Sequence, residues 1–286
     1  MSATPDSLFG FVQFEFGFLL GPGDGRFLVR RAPGEEPESV LVLTTLGAPE
    51  RRRFKDRKGR ALQEAQPEPV PTNRATVVRA NPFETLEEAS AWLAEIRDGA
   101  GRADAELASA ARVLSRALHA HRVAHADPHA RDVASHQAIV TRIGYGDGNS
   151  VTEGRYEEAW ELPREDRRTR RSMEAPEERF AALLGAREQV LVCEELVLRV
   201  RADISSGRAR EAALSARVAL ESVLAELEGD MAGPRREALE SDRVAVADAA
   251  NAALRGGLSP ELTGALAQAA EHMEAALRAR RLESAT

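Results

Sequence analysis

Between Phe11 and Leu20 every even position is apolar, namely Val12, Phe14, Phe16, Phe18 and Leu20, while Gln13, Glu15 and Gly17 lie between them. Successive side chains of a strand point to opposite faces, so this period predicts a strand with one buried face. GPGDG at 21–25 is turn chemistry and FLVRR returns to an extended pattern, which predicts a hairpin. VLVLTT at 40–45 and RATVVRA at 74–80 add two further strands, and the charged, then proline-rich stretch between them reads as a loop.

The period then lengthens. Thr85 with Glu88 three residues on forms a capping box, in which each side chain satisfies an orphan N–H of the helix start. Leu86, Ala89, Leu93 and Ile96 keep helical spacing up to Asp98-Gly99. A second helix is expected from about Ala103 to Ala126, with the stripe Leu107, Ala111, Leu114, Leu118, His121, His125. AIVTRIGY at 138–145 predicts a strand and GDGN at 146–149 a turn, whereas VTEGRYEEAWEL at 151–162 fits either a strand or a short helix. At 163–176 the apolar period is lost among charges, which marks a linker.

From about Glu177 the pattern is helical throughout. Phe180, Leu183, Leu184, Val190, Leu191, Val197, Leu198 and Ile204 form a wide apolar face that ends at SSG. A second helix carries Leu220, Leu224 and Leu227, and a third Leu239, Val246, Ala250 and Leu254. Ser259 caps a fourth, with Pro260 in the first turn, where a missing N–H costs nothing. Short connections favour antiparallel neighbours. The expected fold is therefore α+β. Residues 1–162 form an antiparallel β-sheet of four or five strands, a meander with two covering helices, and 163–176 the linker. Residues 177–286 form an all-α antiparallel bundle of three or four helices.

Charge narrows the function. The chain of 286 residues carries −7, and Lys55 and Lys58 are its only lysines against 37 arginines, a skew that GC-rich codons produce. Residues 174–286 hold 14 Arg and 20 Asp or Glu, which disfavours general affinity for nucleic acid or anionic membranes. Cys193 stands alone, so neither a disulfide framework nor a thiolate-rich metal site is expected. A start without a basic segment, and no apolar run of membrane-spanning length, point to a cytoplasmic protein without a membrane partner.

HAHRVAHADPHARDVASH, His119 to His136, holds five of the six histidines. His121 and His125 are four apart on one helix face and suit a Zn²⁺ ion, with His129, Asp127, Asp132 or His136 to complete the site. No H-E-x-x-H or comparable template is present. Histidines in the last turns before Pro128 also suit the carbonyl end of a helix without any metal. The expectation is no cofactor, with zinc at His121, His125 and His129 as the alternative.

Two further candidates carry chemistry. The basic run at 51–60 offers Arg51, Arg52, Arg53, Lys55 and Lys58 as phosphate contacts for weak nucleic-acid binding. GYGDG at 144–148 invites a phosphate cradle but lacks the lysine of a P-loop and suits a turn better. A ligand cleft between 119–136 and 144–156 would be lined by Asp132, Tyr145 and Arg155.

GPGDGRFLVR, TRIGYGDG and EGRYEEAWELP, with the helical tail after them, resemble an uncharacterised family of alanine- and arginine-rich proteins from high-GC actinobacteria. The resemblance implies a shared architecture in a bacterial cytoplasm and carries over no catalytic residue, cofactor or partner. The leading expectation is a non-enzymatic interaction or scaffold protein that binds a protein partner, or itself, through its C-terminal helices. The alternatives are a ligand-binding domain or enzyme at the histidine-rich and glycine-rich segments, and a weak nucleic-acid binder.

Overall fold

Six strands pair antiparallel in one sheet of order β2-β3-β4-β1-β5-β6. They are β1 Leu8–Phe16, β2 Gly25–Val29, β3 Ser39–Leu46, β4 Thr72–Arg79, β5 Val140–Asp147 and β6 Glu158–Glu161. The computed structural model describes residues 7–32, 34–47, 71–99, 101–129, 132–163, 176–229 and 231–284. The chain divides into two compact units, 1–165 and 166–286. The architecture is α+β, with the sheet in the first unit and a helical second unit.

Helices α1 Leu86–Asp98 and α2 Arg102–Ala124 cover one face of the sheet. Val12, Phe14 and Phe16 of β1 point into this layer with Leu41, Leu43, Ala75, Val77 and Ile143, and meet Ala89, Leu93, Ile96, Leu114 and Leu118. The alternation read from the sequence thus selects the right face, but it runs past the strand. β1 ends at Phe16, Phe18 is 41% exposed, and Leu20 is buried beyond the bend with its N–H donated to Asn73 Oδ1. The expected capping box is present in a shifted form. Thr85 Oγ1 accepts from the Glu88 N–H, while Glu88 Oε2 accepts from the N–H of Glu84. Leu86, expected in the stripe, is exposed because it sits in the first turn, outside the sheet contact.

The opposite face is partly roofed. After β5 the chain makes one helical turn, α3 Gly148–Thr152, and returns to β6. Val151 packs on Phe11 and Val78, and the Tyr156 ring lies 5.5 Å from that of Phe11. The ambiguous 151–162 stretch is therefore helical turn first and strand second.

The second unit contains α4 Pro176–Leu184, α5 Val192–Ser205, α6 Ala209–Glu226, α7 Gly233–Arg255 and α8 Pro260–Ser284. Helices α5 to α8 share one core, in which Ala212, Ala213, Ala216, Ala219, Ala249, Ala253 and Ala269 interleave with Val197, Leu220, Leu239, Leu266 and Met273. Alanine adds little volume, so the helices approach closely, and its helix propensity is the highest of any residue. The apolar face read across 180–204 as one surface is broken by Gly185–Leu191. The core takes Cys193, Val197 and Val200, while Phe180, Leu184, Val190 and Leu198 are exposed. Leu254 is also exposed, since it follows the last core alanine of α7, Ala253, and points about 100° around the helix from it. No helix among the described residues is long and apolar enough to cross a membrane. The linker at 164–175 and the basic loop with Arg51, Arg52, Arg53, Lys55 and Lys58 lie outside the described residues.

Candidate functional site

The sheet face away from α1 and α2 carries a polar row built by strand register. Thr76, Gln13, Arg142 and Glu161 are successive partners across β4, β1, β5 and β6. Gln13 Nε2 donates to Thr76 Oγ1 at 3.1 Å, and Arg142 Nη1 donates to Gln13 Oε1 at 3.0 Å and Glu15 Oε1 at 2.7 Å. Arg142 Nε donates to Glu161 Oε2 at 2.9 Å. Gln13 and Thr76 are only 1% and 3% exposed, so their mutual bond is what makes two buried polar groups tolerable. Burial acts to lower the pKa of Arg142, but the bond and charge of Glu15 outweigh it and keep the guanidinium firmly charged. The sequence carries the signal for this row in the polar members of alternating runs, Gln13 and Glu15, Arg74 and Thr76, and Arg142.

Arg74, one row further along β4, faces Glu15 across the strand pair. Its guanidinium lies against Gly154, where φ is +83° and a Cβ would overlap the arginine. Gly154 therefore meets two demands that no other residue satisfies together, a left-handed backbone and close approach by a side chain. The Arg74 side chain has no hydrogen bond or ion pair with any described residue.

The residues singled out in the sequence fall in separate places. His121 and His125 come together, with ring centroids 4.0 Å apart, and His125 Nδ1 lies 3.0 Å from the His121 carbonyl oxygen. A carbonyl only accepts, so Nδ1 carries the proton and Nε2 the lone pair. His119 turns to Arg122, whose Nη2 is 3.1 Å from its Nδ1. The N–H of His129 donates to Asp127 Oδ1, and its side chain is exposed. Among the described residues no group of three His, Cys, Asp or Glu side chains is placed to hold a metal ion.

Tyr145 and Arg155 stand on opposite sides of the sheet. Tyr145 is buried under α1, where its hydroxyl donates to Glu158 Oε2 at 3.0 Å and meets Ser90 Oγ at 3.3 Å. Arg155 is largely exposed on the segment roofing the other face and pairs with Glu153. Asp132 is half-buried ahead of the short 3-10 turn Ser135–Gln137. The cleft pictured from the sequence is not assembled by these side chains.

The glycine-rich stretch also has a structural use. Asp147 caps α3, accepting from the Ser150 N–H at 2.9 Å, and this bond, with help from the N–H groups of Asn149 and Gly148, holds its carboxyl below the usual range. The N–H groups that a phosphate would need are occupied by the chain's own carboxylate. Gly144 permits close approach of β6, because a Cβ there would overlap the Glu158 carbonyl oxygen and lie 2.8 Å from Ala159 Cα. Cys193 is fully buried, and burial, with Glu226 beside it, pushes its thiol up to about 12.

No family model matches the chain, and neither a curated protein nor a solved structure matches it. The resemblance read from the sequence thus brings no activity to these residues.

Proposed function

We propose that the protein works by association, its helical unit pairing with a second copy of the chain through the outer face of α6 and α7. One observation carries this reading. Leu214 and Val218 on α6 are 41% and 57% exposed, and Val244 and Leu254 on α7 are 70% and 68% exposed. Each such side chain removed from water contributes about 1.5–3 kcal/mol before the costs of association.

Charge supports a second copy as the occupant. Arg243 bonds Glu221 and Arg210 bonds the Ala253 carbonyl, so α6 and α7 run antiparallel, with residue 217 nearly level with residue 247. Arg217 and Asp248 are both exposed and have no partner among the described residues. A two-fold axis parallel to the helix pair lays α6 of one copy on α7 of the other, which sets each Arg217 against the other copy's Asp248 and Val218 near Val244. The side chains suited to chemistry are meanwhile committed to structure: Cys193 is buried, Tyr145 is bonded and Asp147 caps a turn.

Size-exclusion chromatography with light scattering tests the reading. A dimer is expected at about 100 μM, with V218D/V244D shifting it to monomer. A wild-type monomer at that concentration, or a dimer indifferent to the double substitution, overturns it.

A further inference from the structure

On the outer sheet face of the first unit, Arg74 is set apart from the other half-buried arginines. Arg116 holds Glu38, Arg142 holds Glu15 and Glu161, Arg179 holds Glu194 and Glu188, Arg208 holds Asp203, Arg236 holds Glu240 and Arg281 reaches Glu194 at 3.5 Å, while Arg122 meets the His119 ring nitrogen. Withdrawing a cation from water is unfavourable unless an anion or several acceptors replace the solvent, and the six that hold an acid obey the rule. Arg74 has the same intermediate burial and no acceptor among the described residues. Its cross-strand neighbour Glu15 would be the natural partner, but Glu15 Oε1 is engaged by Arg142 at 2.7 Å.

The surroundings hold this guanidinium in place. Arg74 shares the outer face with Thr76 and Val78, and its head lies on Gly154 in the segment roofing Phe11 and Val78. A side chain at 154 would displace it, so the left-handed glycine and the guanidinium position are one arrangement. Arg142, two strands away on the same face, adds a second fixed positive charge. Its own acceptors, Gln13, Glu15 and Glu161, leave Arg74 as the cation with unused donors.

We infer that Arg74, seated on Gly154, is the anchor of a binding site for a small oxyanion, a phosphate monoester or a carboxylate. The planar fork of a guanidinium matches two oxygens of either group, which a lysine ammonium does not. The polar row beside it, rigid because every member is bonded, keeps the site open without collapse onto Glu15. This site is independent of the helix pairing proposed above, since it lies in the sheet unit and needs no second copy.

Calorimetric titration of the full chain at constant ionic strength tests it, using methyl phosphate, inorganic phosphate and acetate as separate probes. At least one should bind saturably at or below about 1 mM, and the probe that binds tightest assigns the site to phosphate monoesters or to carboxylates. R74Q should abolish the binding, R74K should weaken it about tenfold by keeping charge without the fork, and R155Q should leave it unchanged. Circular dichroism of R74Q and R74K checks that the sheet is intact, and R74K keeps the test decisive if R74Q does not fold. Absence of saturable binding by all three probes up to about 20 mM, or equal binding by wild type and R74K, overturns the inference.

Discussion

Arg179 holds both carboxylate oxygens of Glu194, its Nη2 lying 2.7 Å from Oε1 and 2.9 Å from Oε2. The pair ties α4 to the start of α5, and Glu194 also accepts from the Leu191 N–H at 3.2 Å. The side chain of Glu194 is only 5% exposed, so its charge is tolerable because these donors replace water.

The first prediction concerns acid stability. Burial acts to raise the Glu194 pKa, but the bonds from Arg179 and Leu191 outweigh it and hold the carboxyl below its ordinary value. A folded-state pKa that is depressed contributes stability present above the unfolded value of about 4.3, and lost as pH falls through the folded value. R179A should lower unfolding stability by about 3 kcal/mol at neutral pH, because the buried carboxylate loses its main partner. Urea titrations of wild type and E194Q should differ at pH 7 and converge below about pH 4. A constant difference across that range would refute the assignment.

Gly144 gives the second prediction. It pairs with Phe11 on β1 and Ala159 on β6, and a methyl group there has no space against the β6 backbone. Backbone cannot rotate away as a side chain can. G144A should therefore cost about 2 kcal/mol and loosen β6 first. Amide exchange should show lost protection at Ala159 and Trp160 before the β3–β4 pair is affected. Wild-type stability in G144A would show that the two strands are further apart than described.

These cases show what the sequence did and did not disclose. Period located β1 to β5 and the helices α6 to α8, because burial on one face forces apolar residues to recur at the spacing of the element, but it left β6 open between strand and helix and ran α4 and α5 together. It failed at ends, as with Phe18, Leu86 and Leu254, where an element continues in pattern but leaves its packing partner. It also failed for the candidate site. Whether Arg74 or Arg142 finds an acid depends on cross-strand register and on a roof contributed by residues 148–157, and neither is a local property of the chain. The histidine segment misleads for the reverse reason, since residues close in sequence are turned apart by the helix and the turn after it.

Cys193 supplies the third prediction. Its thiol is fully buried and pushed up to about 12, first by burial and then by the Glu226 carboxylate that accepts from the Cys193 N–H at 3.0 Å. The thiolate is the reactive form, so the native protein should not react with a disulfide reagent at pH 8, and one equivalent should react in denaturant. Reaction in the native state at the rate of a free thiol would mean that the start of α5 opens readily.

The last prediction returns to the histidines. Two imidazoles, those of His121 and His125, lie close together, and because His125 Nδ1 donates its N–H to the His121 carbonyl, its Nε2 is the nitrogen left as a ligand. A structural zinc site uses four protein ligands and a catalytic one three. Here His119 is turned to Arg122, and no third ligand converges among the described residues. Two ligands alone bind zinc weakly, because each absent ligand is replaced by water and the remaining side chains must be ordered on binding. Titration with Zn²⁺ in competition with a chelating dye should therefore give a dissociation constant no tighter than about 10 μM, and H125A should weaken it further. Sub-micromolar affinity lost in H121A would require a third ligand to move at least one side chain into the site, and would restore the metal reading of this segment.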